Sequence, residues 1–98
     1  MYLDRLFKLM AEKQASDLFI SCGAPINIKV NGVVQPVSTQ AMDPETVRRI
    51  AYELMSKDQA REFENTLEMN LSYLDRSVGN FRVNVFRQRG SISLVIRY

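Results

Sequence analysis

Phe81-Arg82-Val83-Asn84-Val85-Phe86-Arg87-Gln88-Arg89-Gly90-Ser91-Ile92-Ser93-Leu94-Val95-Ile96-Arg97 holds two apolar-alternating runs, 81–86 and 92–97, around the polar segment 87–91. Alternation is the signature of half-buried strands, and a glycine between two such runs marks a hairpin. If Arg89-Gly90 is a two-residue loop, Gln88 faces Ser91, and counting back sets Arg82 directly opposite Arg97. Directly opposed residues on one face have β-carbons roughly 5 Å apart, and like charges so placed repel. A fold that tolerates this pair needs a carboxylate or a bound anion beside it, and our reading is a phosphate supplied from outside the chain. The register decides the matter. A loop two residues longer would leave the arginines diagonal, and a loop changed by one would put them on opposite faces. The plainer alternative is that both arginines merely solvate the exposed side of a sheet.

Working outward, 98 residues make one small domain with a modest single core. The single cysteine, Cys22, excludes an internal disulfide and reads as a small core residue in an apolar strand. There is no histidine, so His-dependent general-base chemistry and the common zinc ligand sets are out of reach. The charged start Met1-Tyr2-Leu3-Asp4-Arg5 is not a secretory signal, and no apolar run approaches the roughly 20 residues of a membrane span. These features point to a cytoplasmic protein. Net charge is only +2, but after Asp75 come Arg76, Arg82, Arg87, Arg89 and Arg97 with no acid, while 43–68 leans acidic. That asymmetry predicts a basic docking face at the C-terminal hairpin, with Arg87 and Arg89 as an auxiliary basic surface.

Leu3, Leu6, Phe7 and Met10 fall at i, i+3, i+4 and i+7, an amphipathic helix that should stop near Gln14. Leu18, Ile20 and Cys22 alternate with Phe19 and Ser21 as a strand, which Gly23-Ala24-Pro25 breaks. Ile26, Ile28 and Val30 lead into Asn31-Gly32, a strong hairpin signal, and Val33–Val37 returns with Pro36 at an edge or strand end. Asp43 is a fitting N-cap with Pro44 at the first helical position, and Val47, Ile50, Ala51, Leu54 and Met55 form one stripe. Ser56-Lys57-Asp58-Gln59 fits a capping box for a second helix with Ala60 and Phe63 inward. A strand with Met69, Leu71 and Tyr73 on one face follows, then a turn over 75–80. The expected fold is α+β, an antiparallel sheet with helices on one face, in the order α-β-β-β-α-α-β-β-β. The last strand runs to Tyr98 without a stop signal, which predicts that residues 1–98 are one domain of a larger protein.

The chain shows no catalytic apparatus of its own. Gly23, Gly32, Gly79 and Gly90 approach neither a phosphate-binding G-x-x-x-x-G-K-[ST] loop nor a G-x-G-x-x-G turn. Glu62 and Glu64 lie two apart on a helix and do not share a face. Phe81 and Phe86 among arginines could mimic an RNA-binding sheet, but the element order is not β-α-β-β-α-β and Phe81 alternates with core valines. Asp17 reads as a turn or strand-start cap, not a catalytic acid.

Ala15-Ser16-Asp17-Leu18-Phe19-Ile20-Ser21-Cys22-Gly23-Ala24-Pro25 resembles the S-D-L-H-x-x-x-G-x-P segment of the PilT/PilU group of type IV pilus retraction ATPases. Ile28-Lys29-Val30-Asn31-Gly32 resembles their R/K-V-D/N-G hairpin. Residues 81–89 resemble their F-R-V-N-x-F-x-Q-R strand, and Leu94-Val95-Ile96-Arg97 their closing strand. The match runs through the chain in the right order. Phe19 stands where histidine is usual after S-D-L, as is common in the PilU branch. The resemblance implies a PAS-like N-terminal domain followed by a RecA-like domain with the Walker motifs, absent from this chain. Six copies would form a ring that hydrolyses ATP with Mg and drives pilus retraction and twitching motility. Its partners would be the neighbouring subunits, the inner-membrane platform and a PilT-type partner. No nucleic acid and no membrane insertion are implied. The residues matching the family's phosphate-contacting arginines are Arg82 and Arg97, with no catalytic residue and no metal site in this chain alone. The rival readings are a free-standing PAS-like sensor or adaptor and a small nucleic-acid-binding domain.

Overall fold

The computed structural model describes residues 1–98. The elements are α1 (Asp4–Lys13), β1 (Asp17–Ser21), β2 (Asn27–Val30), β3 (Val33–Pro36), α2 (Pro44–Leu54), α3 (Lys57–Thr66), β4 (Glu68–Asp75), β5 (Gly79–Gln88) and β6 (Ser91–Arg97), in the expected order. Local chemistry explains most of their ends. Asn31 and Gly32 have φ of 50° and 79°, and Arg89 and Gly90 have 54° and 81°, the paired left-handed residues of a type I′ hairpin. Asp43 accepts the Thr46 amide at 2.7 Å with Pro44 behind it, capping α2. Ser56 and Gln59 exchange both bonds of a capping box at 3.1 and 2.9 Å. In the tight 76–78 turn, Asp75 Oδ1 accepts from Ser77 and Val78.

The six strands form one antiparallel sheet in the order β3-β2-β1-β6-β5-β4. The N-terminal and C-terminal trios join where β1 pairs with β6, from Asp17 opposite Arg97 to Ser21 opposite Ser93. Leu18, Ile20, Phe81, Val83, Val85, Leu94 and Ile96 face the helices and are almost fully buried. Phe7 of α1, Ile50 of α2 and Phe63 of α3 complete the same cluster. Each such side chain contributes about 1.5–3 kcal/mol by leaving water. Phe7 stacks on Phe81 at 4.1 Å between ring centroids, and Tyr98 stacks on Phe81 at 5.0 Å. Because all helices take one face, the other face of the sheet stays uncovered.

Two expectations need correction. Cys22 is half-buried, not a core residue, because β1 ends at Ser21 and the chain bends through Gly23 at φ 83°. Its backbone instead bridges in parallel to Met42, which is buried. Asp17 is the first residue of β1, as expected of a strand start, but its carboxylate caps no turn: it accepts from the adjacent Ser16 hydroxyl and from Arg97 across the sheet.

Candidate functional site: an arginine pair on the uncovered sheet face

Strand alternation sends Phe81, Val83 and Val85 to the core and leaves Arg82, Asn84 and Phe86 on the open face. The hairpin register is the one counted from the sequence. Gln88 opposes Ser91 and Arg82 opposes Arg97. Extending that rung across the sheet aligns Val34, Lys29, Asp17, Arg97, Arg82 and Ser72, one residue from each strand. The adjacent same-face rung is Pro36, Asn27, Phe19, Val95, Asn84 and Asn70.

The charges on the first rung are not evenly compensated. Arg97 Nε donates to Asp17 Oδ1 at 3.3 Å. Asp17 is 8% exposed and its other oxygen accepts the Ser16 hydroxyl at 2.7 Å. This carboxylate lies on the far side of Arg97 from Arg82, since β6 separates β1 from β5. Arg82 makes no salt bridge, and its neighbour on β4 is Ser72. The Arg97 side chain is 72% exposed. A depression of about 230 Å³ lies between the two arginines, lined also by Asn70, Val83, Asn84 and Val95. Asn84 Nδ2 donates to Asn70 Oδ1 at 2.7 Å, linking two of its lining amides. Two guanidiniums and two amides around a shallow seat present hydrogen-bond donors and a positive field, the requirements for binding a phosphoryl group.

The auxiliary arginines are not part of this seat. Arg87 belongs to the core-facing alternation, lies over the Phe63 ring at 5.8 Å and donates to the Gly90 carbonyl. It is about 17 Å of strand from Arg82. Arg89 occupies the turn at the end of the hairpin. Sequence reasoning missed Asp17 as a partner of Arg97. The signal for it was the β1–β6 pairing, which no local motif encodes.

A larger groove of about 870 Å³ runs between α1 and the 37–43 segment, lined by residues such as Leu6, Leu9, Ile26 and Met42. Its charged lining balances Arg5 and Lys8 against Glu12 and Asp43, so it offers no field of one sign. No three metal-ligating side chains converge anywhere in the structure. No helix is long and apolar enough to cross a membrane.

Over 97 residues the chain is 40% identical to the type IV pilus ATPase PilU of Pseudomonas aeruginosa, and 33% identical to the type IV pilus retraction ATPase PilT of the same organism. It spans 25% and 28% of the lengths of those two relatives. Among solved structures it matches the pilus retraction motor PilT with bound ADP at a TM-score of 0.87 and 32% identity, covering 96% of this chain and 28% of that one. The ATPase DotB of Legionella pneumophila shares the fold at a TM-score of 0.82 and 19% identity, over 98% of this chain and 28% of that one. No family model matches the chain.

Proposed function

We propose, from the premise that this chain belongs to the PilT/PilU family of type IV pilus ATPases, that it is the N-terminal domain of a hexameric retraction motor. In this reading Arg82 and Arg97 hold the phosphates of ATP bound to the RecA-like domain. The observation that carries it is Arg82: an arginine without an acidic partner, set opposite a second arginine on the one sheet face that no helix covers. A monomer gains nothing in stability from that arrangement, whereas a phosphate between the guanidiniums turns mutual repulsion into two charge-assisted contacts.

The chemistry follows from the residue type. Hydrolysis breaks the bond between the terminal phosphorus and its bridging oxygen as water attacks, and charge builds on the phosphoryl oxygens and the leaving phosphate. Guanidinium groups that stay protonated throughout stabilise that charge and need no proton transfer of their own. Arginine acts as neither nucleophile nor base, so the role of the pair is to bind and orient the phosphates. The catalytic motifs and Mg would come from the RecA-like domain. Identity to PilU exceeds identity to PilT, and Phe19 agrees with the PilU branch. We therefore place the protein as an accessory retraction ATPase in the cytoplasm, against the inner-membrane platform. A sensor would need a polar cavity in its core, and the residues behind the sheet form an apolar cluster.

Reading the source gene onward from Tyr98 tests the domain assignment. A Walker A loop followed by acidic and histidine-containing motifs is expected, and an early stop codon would refute it.

A further inference from the structure

We propose that Asp17 is a positioning residue for Arg97, holding the guanidinium by its Nε so that both terminal nitrogens remain available to an anion shared with Arg82. The proposal rests on the phosphate reading above and names the residue that prepares its site. Three observations carry it. First, the contact is a single Nε bond at 3.3 Å, and neither terminal nitrogen of Arg97 has a partner within the protein. A carboxylate that competed with phosphate for this arginine would take the fork end-on, with two parallel bonds.

Second, Asp17 is itself held. It is buried, it stands in register with Arg97 on the neighbouring strand, and Ser16 donates to its second oxygen at 2.7 Å. A fixed carboxylate can orient a mobile side chain, and the Arg97 side chain, 72% exposed, is otherwise one of the most rotamer-rich types. Anchoring one end of it reduces the ordering that anion binding must impose. Third, the carboxylate lies across Arg97 from the seat between the arginines, which limits its repulsion of a bound anion. Arg82 has no such anchor, so the two arginines differ in kind: Arg97 is pre-set and Arg82 is free to close on the ligand.

The test uses the 98-residue chain with ¹⁵N-labelled arginine, pyrophosphate as the probe, and side-chain Nε–H resonances as the readout. In the wild type, the Arg97 Nε–H should exchange with water more slowly than that of Arg82, and equal rates would overturn the proposal without any variant being made. Asp17→Ala should weaken pyrophosphate binding about two- to fivefold, the range of an ion pair with one exposed partner. Asp17→Asn keeps an oxygen for Nε and should bind more tightly than the alanine variant. Equal or tighter binding by Asp17→Ala than by wild type would overturn the proposal, since removal of a nearby negative charge alone does that. Arg97→Ala separates the two levels. If it binds pyrophosphate as wild type does, or if neither arginine responds in the wild type, the phosphate reading itself fails, and the exchange rates alone decide whether Asp17 holds Arg97.

Discussion

Replacing Arg82 with glutamine should make this domain more stable at low ionic strength, although under the proposed phosphate role the same change would impair ATP turnover. Arg82 and Arg97 are directly opposed, with β-carbons roughly 5 Å apart. Their guanidiniums can splay to about 8 Å, where two like charges in water repel by about 0.5 kcal/mol. The Debye length is about 30 Å at 0.01 M salt and about 3 Å at 1 M, so this term survives in the first condition and vanishes in the second. Glutamine keeps much of the aliphatic stem and the hydrogen-bonding end while removing the charge. Urea unfolding at the two salt concentrations should therefore show Arg82→Gln about 0.5 kcal/mol more stable than wild type at low salt and indistinguishable from it at high salt. Arg97→Gln relieves the same repulsion but strips buried Asp17 of its cationic partner. Its net effect should be destabilising, by about 1 kcal/mol after allowance for the exposure of Arg97. A low-salt loss of stability in Arg82→Gln, or a gain indifferent to salt, would refute the claim that the pair is held together against its own charge.

Other parts of the structure make their own predictions. Phe7→Ala removes the ring that stacks on Phe81 in the centre of the core and should cost about 3–5 kcal/mol in denaturant unfolding; a loss under 1 kcal/mol would contradict the packing described. Ser56→Ala deletes the side-chain half of the α3 capping box and should cost about 1 kcal/mol, with Ser56→Thr nearly neutral. The Asp43 carboxyl lies below its ordinary value because the Thr46 backbone amide donates to the ionised form. A depressed folded value means that the cap contributes above the unfolded value near 3.8 and is lost as pH falls through the folded one. Carboxyl NMR titration should show that order, and an Asp43 value above the ordinary one would contradict it.

Much of this fold was legible because its punctuation is local. Asn31-Gly32 and Arg89-Gly90 specify their own turns, and Asp43-Pro44 and Ser56…Gln59 specify their own helix starts, all within four residues of chain. The Arg82–Arg97 pairing followed from one of those turns by counting. What escaped was non-local. The Arg97–Asp17 contact spans 80 residues, and depends on β6 choosing β1 as its second neighbour, a choice made by the burial of Ile96 and Leu94 against Leu18 and Ile20. Cys22 kept its alternation on paper but lost its core position when Gly23 turned the chain. Arg87 was grouped with the other arginines by composition, whereas its odd position in β5 puts it on the helix side over Phe63. Charge clustering along a strand says little about a face until the alternation is followed residue by residue.

The central proposal is that the arginine pair holds ATP phosphates in an assembled retraction motor. The most direct measurement is steady-state ATP turnover by the full-length gene product carrying Arg82→Ala or Arg97→Ala, with Arg89→Ala at the hairpin tip as the control. Both pair variants should keep the fold and the oligomeric state yet lose at least about a hundredfold in kcat, the lower end of what charge-stabilising groups contribute, while the control turns over normally. Wild-type turnover in both pair variants would contradict the central claim and return these arginines to the solvated surface of a sheet.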